Sequence, residues 1–231
     1  MNFSLGFALT AMVESLKGVP VTLFLIVATF GLALPISFSM ALARVYKIFP
    51  LDPLIRLYVS FVRGTPMLAH LFFFYNLLPM VIRKAMFGLG LNGNLVYDLN
   101  PVWLALFVLL LNYLTFMSEN FRAAILSIQK DQFEGAYAFG FTKAQAYRRI
   151  IIPQAMSTAL PALSNSAIGI LKSTSVVFVI GVRDVTANAK QVAATSYRYL
   201  EAYVDILIIY LVICFLITRI FQLAESRIRR R

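Results

Sequence analysis

Long apolar runs without charged residues alternate with short polar segments along this chain. Four such runs cover residues 18–43, 64–82, 99–118 and 150–171, and a fifth apolar run covers residues 200–221. Glu201 and Asp205 lie near the start of the fifth run, where an interface is expected. A helix needs about 20 residues to cross a bilayer. The pattern therefore predicts an all-α, polytopic membrane helical bundle with five transmembrane helices.

The bundle is predicted to form one domain over residues 1–231. Its spans are expected at about residues 18–43, 64–82, 99–127, 153–180 and 200–221, with a cytoplasmic loop at 130–152. The first residues lack a basic start and a small-residue cleavage site, so no removable signal peptide is predicted. Phe3, Phe7 and Ala11 share one helical face, which predicts an anchoring helix in the membrane surface.

Composition agrees with a membrane protein. Of the 231 residues 60% are hydrophobic and 13% charged, and the mean hydropathy is +0.80. A soluble domain has roughly 45–50% apolar and ~25% charged residues. These values exclude a soluble enzyme and, despite the net charge of +11, a free nucleic-acid binder. Cys214 is the only cysteine, which excludes an intrachain disulfide and a multi-cysteine metal site.

The distribution of Lys and Arg predicts the orientation. The predicted cytoplasmic segments hold 14 Lys and Arg against 4 Asp and Glu, whereas the outer segments hold 6 against 5. Because Lys and Arg accumulate in cytoplasmic loops, the N-terminus is expected outside and the C-terminus in the cytoplasm. Only an odd number of spans gives this split. The basic residues 227–231 are expected to contact anionic lipid headgroups.

The loop at 130–152 predicts two short helices joined by a glycine. Asp131 is expected to cap the first helix with Glu134 as its capping-box partner, and Gly140 to take the left-handed position at its end. Thr142 and Gln145 form a second capping box. An ordinary surface loop is the structural alternative, but the aromatic residues of this loop favour a docking element.

The spacing of this loop resembles a known motif. Residues 134–153 read E-G-A-x3-G-x9-I-x-I-P, which is similar to the EAA loop of ABC importer permeases, E-A-A-x3-G-x9-I-x-L-P. The resemblance assigns contact with an ATPase to Glu134, Gly135, Ala136, Gly140, Ile150 and Pro153. Gly135 and Ile152 depart from the motif.

Four further stretches narrow the resemblance to permeases for polar amino acids, of the histidine, glutamine, arginine and cystine type. They are V-R-G-T-P at 62–66, E-N-F-R-A-A-I at 119–125, A-L-P-A-L-S-N at 159–165 and L-K-S-T-S at 171–175. Ala162 replaces a family proline and Ser173 a family aspartate, which puts the substrate in question. The resemblance implies the type I ABC importer permease fold in a bacterial plasma (inner) membrane.

The resemblance also implies partners. They are a second permease copy or paralogue, two ABC ATPase subunits, an extracytoplasmic solute-binding protein and membrane lipids, with no nucleic acid. The chain contains no G-x-x-x-x-G-K-[ST] phosphate loop. No cofactor is therefore expected on this chain, and ATP and Mg are expected on the partner ATPase. The implied function is inward transport of a polar amino acid or a cystine-like derivative.

Two ionisable residues, Glu119 and Lys172, lie where the membrane interior is expected. Glu119 and Lys172 each cost roughly 2.5–3.5 kcal/mol at the bilayer centre, so they are expected to face the bundle interior or a wet cavity. They could form a structural ion pair, or Glu119 could pair with Arg122. The sharper alternative is a path for a zwitterion, in which Lys172 attracts the carboxylate and Glu119 the ammonium. The polar candidates that would complete this site are Asn112, Thr115, Ser173, Thr174 and Ser175, although such hydroxyls more often bond their own backbone.

Other residues carry weaker signals. His70 stands alone in an apolar run, which favours a packed or pore-facing histidine over a metal site. The spans contain Pro35, Pro66, Pro79 and Pro161, which predict static kinks or hinges. Gly31 and Gly169 are expected to allow close helix packing.

Two rival functions remain open at this point. A small oligomeric channel without an ATPase partner would also place polar residues in spans. An intramembrane enzyme is disfavoured, because the spans show no nucleophile–base pair, H-E-x-x-H or paired aspartates.

Overall fold

The computed structural model describes residues 3–93 and 100–229. These residues form helices and contain no β-strand. The α-helices are α1 (Leu5–Leu16), α2 (Val19–Val45), α3 (Leu51–Arg63), α4 (Met67–Gly88), α5 (Pro101–Leu126), α6 (Lys130–Ala138), α7 (Lys143–Ala146), α8 (Ile152–Thr174), α9 (Val185–Ser196) and α10 (Tyr199–Arg229). A π-helical turn (Tyr147–Ile151) precedes α8, and a 3₁₀ turn (Val177–Ile180) follows it. Asp98, Arg230 and Arg231, which entered the charge distribution, lie outside the described residues.

Four helices in the described ranges are long and apolar enough to cross a membrane, namely α2, α4, α5 and α10. The helix α8 has 23 residues but does not reach the same hydropathy. It ends at Thr174, whereas the predicted span extends to residue 180. The predicted span at 153–180, and with it the total of five spans, therefore stays a prediction.

The helix α5 occupies the centre of the bundle. It packs mainly against α2 on one side and α8 on the other, while α10 packs against α8. One apolar cluster includes Leu25, Leu109 and Ile170, and a second includes Met117 and Phe121. The site described below lies along the contact of α5 with α8.

The helical conformation is interrupted between α3 and α4. Gly64 caps the end of α3, and Pro66 precedes α4 in an extended conformation. Proline disfavours a helical residue before it, which explains why α4 begins only at Met67. Pro66 is thus a helix boundary and not an internal kink, whereas Pro35, Pro79 and Pro161 lie inside α2, α4 and α8.

The N-terminal helix α1 packs against α9 and α10. Ala8, Ala11 and Ser15 form its buried face. The backbone N–H of Ser4 donates to Oε1 of Glu201 at 3.2 Å, which ties the start of α1 to α10. Its position in the membrane surface remains a prediction.

The elbow, defined as residues 130–151, contains the predicted helix–glycine–helix arrangement. Gly140 has φ +78°, and the N–H groups of Gly140 and Phe141 donate to the carbonyls of Tyr137 and Ala136 at 2.9 and 3.1 Å. This pairing is a Schellman motif, which glycine favours because its left-handed conformation costs little. The Thr142–Gln145 capping box is also present.

One capping prediction is wrong. The first helix of the elbow starts at Lys130, its N-cap is Gln129, and no side chain caps it. Asp131 therefore lies in the first helical turn, where its charge favours the positive end of the helix dipole without bonding the backbone.

Candidate functional site

The exposed face of α8 is polar. Gln154, Thr158, Asn165 and Lys172 are exposed and lie on one side of the helix, because their spacings of four, seven and seven residues return to nearly the same angle. We call these four residues the α8 polar stripe. Lipid tails disfavour such groups, so this face is expected to meet water or another protein surface. The stripe also explains the low hydropathy of α8.

A cavity of about 340 Å³ lies beside this stripe, between α5 and α8. Its walls are built from both helices, and Asn165 belongs to the cavity and the stripe. The lining residues are Tyr113, Phe116, Asn120, Ala162, Asn165, Ser166 and Gly169. Amide and hydroxyl groups thus alternate with two aromatic rings, and no charged side chain lines this cavity.

Hydrogen bonds orient the polar walls of the cavity. Nδ2 of Asn120 donates to Oγ of Ser166 at 3.0 Å and to the carbonyl of Ala162 at 3.3 Å. The Ser166 hydroxyl donates to the same carbonyl at 3.1 Å. Because the Asn120 amide nitrogen is engaged, its Oδ1 oxygen is the group that can accept a proton donor such as an ammonium.

Tyr113 lines the cavity and also contacts the end of α8. Its hydroxyl lies 2.9 Å from Oγ of Ser173, which links α5 to the end of α8. A Cβ atom at Gly169 would lie 2.9 Å from the Tyr113 hydroxyl, so glycine is required for this close approach. The packing role predicted for Gly169 is present, whereas no atom lies within 4 Å of such a Cβ at Gly31.

Glu119 belongs to an ion cluster and does not line the cavity. Its carboxylate pairs with Arg44 of α2 and with Nη2 of Arg122, the latter at 2.9 Å. Asp52 of α3 continues the cluster, 3.9 Å from Nε of Arg44 and 2.7 Å from Nη2 of Arg56. Of the two roles considered for Glu119, a structural ion pair and a substrate contact, the structure shows the ion pair. The sequence did not indicate Arg44 as a partner.

Lys172 lies on a different surface from Glu119. It is exposed at a groove between α8 and α10, whose other lining residues include Leu207, Tyr210 and Leu211. No ion pair of Lys172 is present within residues 3–93 and 100–229. The structure therefore does not bring the two predicted charges together.

The predicted polar residues separate into two groups. Ser173 contacts the cavity residue Tyr113, as described above. The hydroxyls of Thr115, Thr174 and Ser175 bond backbone carbonyls of Asn112, Leu171 and Lys172 in their own helices, at 2.6–2.7 Å. Such bonds are the ordinary role of hydroxyls in helices.

Asn112 is buried and binds His70. Its Nδ2 donates to the carbonyl of Val108 at 2.9 Å, and its Oδ1 lies 3.3 Å from Nδ1 of His70. Nε2 of His70 lies 2.6 Å from the Thr65 hydroxyl. His70 is thus a packed histidine whose two ring nitrogens both have partners.

Arg63 lies beside the cavity. Its guanidinium carbon lies 5.7 Å from the ring centroid of Phe116, within the range of a cation–π contact. Arg63 is exposed at the end of α3, next to the break at Gly64.

A family model described as "Binding-protein-dependent transport system inner membrane component" matches residues 33–230. The chain belongs to this family. It is accordingly a multi-pass inner-membrane permease subunit of an ABC importer, a transport component and not a catalyst. Membership favours the importer over the rival channel.

Relatives of this permease cover nearly its whole length. It is 36% identical over 232 residues to the probable amino-acid ABC transporter permease protein PatM of Vibrio harveyi, across 100% of this chain and 98% of that protein. It is 33% identical over 211 residues to the L-cystine transport system permease protein TcyL of Bacillus subtilis (strain 168), across 91% and 85%. The octopine transport system permease protein OccM of Rhizobium radiobacter is 33% identical over 227 residues, across 97% and 90%.

Solved structures share the permease fold. A crystal structure of an amino acid ABC transporter with histidines superposes with a TM-score of 0.82 at 29% identity, across 98% of this chain and 100% of that chain. An inward-facing structure of the MetNI methionine ABC transporter superposes with a TM-score of 0.67 at 16% identity, across 98% and 99%.

The elbow of this permease presents an apolar surface outward. Phe139 is 87% exposed, and Glu134 and Tyr137 are exposed beside it. Ala136 faces inward, Gly135 lies within α6, Ile150 belongs to the π-helical turn, and Pro153 opens α8. The six motif residues therefore lie on one continuous segment that runs directly into the cavity helix.

Aromatic rings connect the elbow to the end of α2. The ring centroid of Tyr147 lies 4.9 Å from that of Tyr46 and 5.1 Å from that of Phe133. Burial and the neighbouring Tyr147 raise the pKa of Tyr46. The three rings therefore pack against one another where the elbow meets the end of α2.

Sequence reasoning missed most of the cavity. Tyr113, Phe116, Asn120 and Ser166 were not predicted, although Asn120 and Asn165 lie within the stretches that carry the family resemblance. A helical plot of α8 alone would have shown the polar stripe, because its spacing is regular. The missing information was how the neighbouring face of α8 packs against α5 to form the cavity.

Proposed function

We propose that this permease moves a polar amino acid inward along the α8 polar stripe and through the cavity between α5 and α8. The single observation that carries the proposal is the exposed polar face of α8, a helix that packs against the central helix α5. The amino-acid relatives support the substrate class, and the cavity supplies amide and hydroxyl groups for a small polar molecule.

We include α8 as the fifth transmembrane helix. Its 23 residues correspond to a length of about 34 Å, enough for the ~30 Å hydrocarbon core. An odd number of spans with α8 included keeps the basic segments in the cytoplasm. The N-terminus is then outside and the C-terminus cytoplasmic.

The polar stripe also indicates how the permease pairs. A second permease, either a copy or a paralogue, would cover this face and enclose the path from lipid. The exposed elbow would bind an ABC ATPase subunit, which holds ATP and Mg, and an extracytoplasmic solute-binding protein would deliver the amino acid. Lys172 stays a candidate for guiding a carboxylate, whereas the ion cluster gives Glu119 a structural role.

Thiol accessibility tests the path. In a Cys214→Ser background, single cysteines replace Thr158, Asn165 or, as the control, the exposed apolar residue Val27 of α2. A charged, water-soluble methanethiosulfonate reagent is applied to membranes that contain the assembled transporter. Cysteines at 158 and 165 are expected to react, and the cysteine at 27 is expected to stay unreacted in lipid. Equal protection of all three would contradict the path.

Uptake tests the substrate class. The permease is reconstituted into vesicles with its ATPase and its solute-binding protein, and radiolabelled L-arginine, L-histidine, L-glutamine and L-cystine are supplied separately. At least one is expected to accumulate only when ATP and the binding protein are both present. Accumulation without ATP would indicate a channel.

A further inference from the structure

The cavity between α5 and α8 lacks a charge for one end of its proposed ligand. An amino acid at neutral pH carries a carboxylate and an ammonium, and the lining residues offer only amide, hydroxyl and aromatic groups. Oδ1 of Asn120 suits the ammonium, as described above. The carboxylate needs a cation or several directed N–H donors, since burying it unpaired is costly.

Arg63 is placed to supply that cation. Its guanidinium lies over Phe116, which forms one wall of the cavity, at 5.7 Å from the ring centroid. Within the described residues Arg63 forms no ion pair, unlike Arg44, Arg56, Arg122 and Arg198. Its N–H donors are therefore available, and a guanidinium binds a carboxylate through two parallel hydrogen bonds.

A network of side-chain contacts connects the segment that carries Arg63 to α4 and α5. The Thr65 hydroxyl lies 2.9 Å from the carbonyl of Phe61 in the last turns of α3 and 2.6 Å from Nε2 of His70 in α4. Nδ1 of His70 faces Oδ1 of Asn112 in α5. His70 and Asn112 are both buried. The network thus joins the break between α3 and α4 to the helix that carries Tyr113 and Phe116.

We infer that Arg63 is the specificity-determining residue that binds the substrate carboxylate at the cavity, and that His70 is a positioning residue that holds Arg63 there through Thr65 and Asn112. The inference rests on the proposed function, because it assigns the recognition of one end of the same substrate. It also separates Asn112 from the substrate, which that side chain does not reach in its buried position.

Variants of Arg63 test the recognition. The same vesicles with permease, ATPase and solute-binding protein report two quantities, the uptake of the transported amino acid of the four above and the ATP hydrolysed meanwhile. Arg63→Gln is expected to lower uptake per ATP by about tenfold, the loss of one charge-assisted contact. Binding-protein-stimulated ATP hydrolysis is expected to remain within about twofold of wild type, since the elbow is unchanged. The uptake per ATP of Arg63→Lys is expected to lie between that of Arg63→Gln and that of the wild type, because an ammonium lacks the planar fork of a guanidinium.

Arg83→Gln is the matched control. Arg83 also lies over a phenylalanine ring, that of Phe87 at 5.4 Å, but neither residue lines the cavity. The control is expected to keep wild-type uptake per ATP.

Variants of His70 test the positioning. His70→Leu removes both ring nitrogens that contact Thr65 and Asn112. It is expected to lower uptake per ATP in the wild-type background. In the Arg63→Gln background it is expected to cause no further loss, because the effects of coupled residues are not additive. His70→Gln retains a donor and an acceptor and is expected to restore most of the uptake. Independent, additive effects of the two changes would overturn the positioning role.

The remaining outcomes separate the two proposals. Unchanged uptake per ATP in Arg63→Gln, or an equal loss of ATP hydrolysis and uptake, overturns the role of Arg63 while wild-type uptake still supports transport. If the wild-type transporter accumulates none of the four amino acids, the proposed function fails and this inference fails with it.

Discussion

At the scale of single residues, the most informative side chain is Glu119. Its carboxylate forms ion pairs with two arginines from different helices, and its side chain is only 18% exposed. Removing the charge would leave Arg44 and Arg122 without their shared partner. A charged group that loses its partner in such a place costs about 2 kcal/mol.

Glu119→Gln is therefore expected to lower the thermal stability of the detergent-solubilised transporter. The measurement is the midpoint of thermal aggregation, followed by size-exclusion chromatography of heated samples. Glu14→Gln is the control, because the Glu14–Lys17 pair is largely exposed and such pairs contribute little. A stable Glu119→Gln variant with abolished uptake would instead restore the substrate role predicted for this residue.

Gly169 gives a second prediction at this scale. Gly169→Ala places a methyl group 2.9 Å from the Tyr113 hydroxyl, so the ring must move and its bond to Ser173 is lost. Uptake is expected to fall severalfold, in proportion to one lost hydrogen bond of about 1 kcal/mol. Gly31→Ala, where the added atom meets nothing within 4 Å, is expected to leave uptake unchanged. Equal uptake by the two variants would show that the position of Tyr113 does not matter.

At the scale of elements, the elbow depends on one backbone conformation. Gly140 has φ +78°, and any other residue there loses roughly 1 kcal/mol or more. Gly135 lies within α6 with no atom near its missing Cβ, and alanine favours a helix by about 1 kcal/mol. The two glycines of the same motif therefore respond to alanine in opposite directions.

Gly140→Ala is expected to reduce the amount of ATPase subunit that copurifies with the permease, because the angle between α6 and α7 is disturbed. Gly135→Ala is expected to retain or increase it. Quantitative gel densitometry of the purified complex, at equal permease amounts, gives the comparison. A reduction in both variants would mean that the helix α6 itself, and not its C-terminal turn, sets the contact.

The elements differ in how far the sequence determines them. Capping and turn signals act within a few residues, so Gly140 and the Thr142–Gln145 box were predicted correctly. The cap at Asp131 failed because the helix begins at Lys130. The cavity could not be predicted, since it depends on which faces of α5 and α8 meet, and that choice is made by packing between distant segments. For the same reason, the sequence did not indicate that Arg44 pairs with Glu119.

At the scale of the whole molecule, the charge distribution predicts a topology that fusions can test. A C-terminal green fluorescent protein is expected to fluoresce, because it folds in the cytoplasm, and a C-terminal alkaline phosphatase is expected to be inactive there. A cysteine replacing Ser4, in the Cys214→Ser background, is expected to react with an impermeant thiol reagent added from outside. Active phosphatase at the C-terminus would require an even number of spans.

The polar stripe of α8 has a consequence for biogenesis. A helix with Gln154, Thr158, Asn165 and Lys172 on one side inserts poorly into the bilayer by itself. Neighbouring helices must therefore pack against it as it is inserted during synthesis. The helix α5 precedes it, and α10 is made only afterwards. A subunit without its pair would leave these side chains against lipid, which makes it a natural target for membrane quality-control proteases. Cells would therefore need to match the production of the two permease halves.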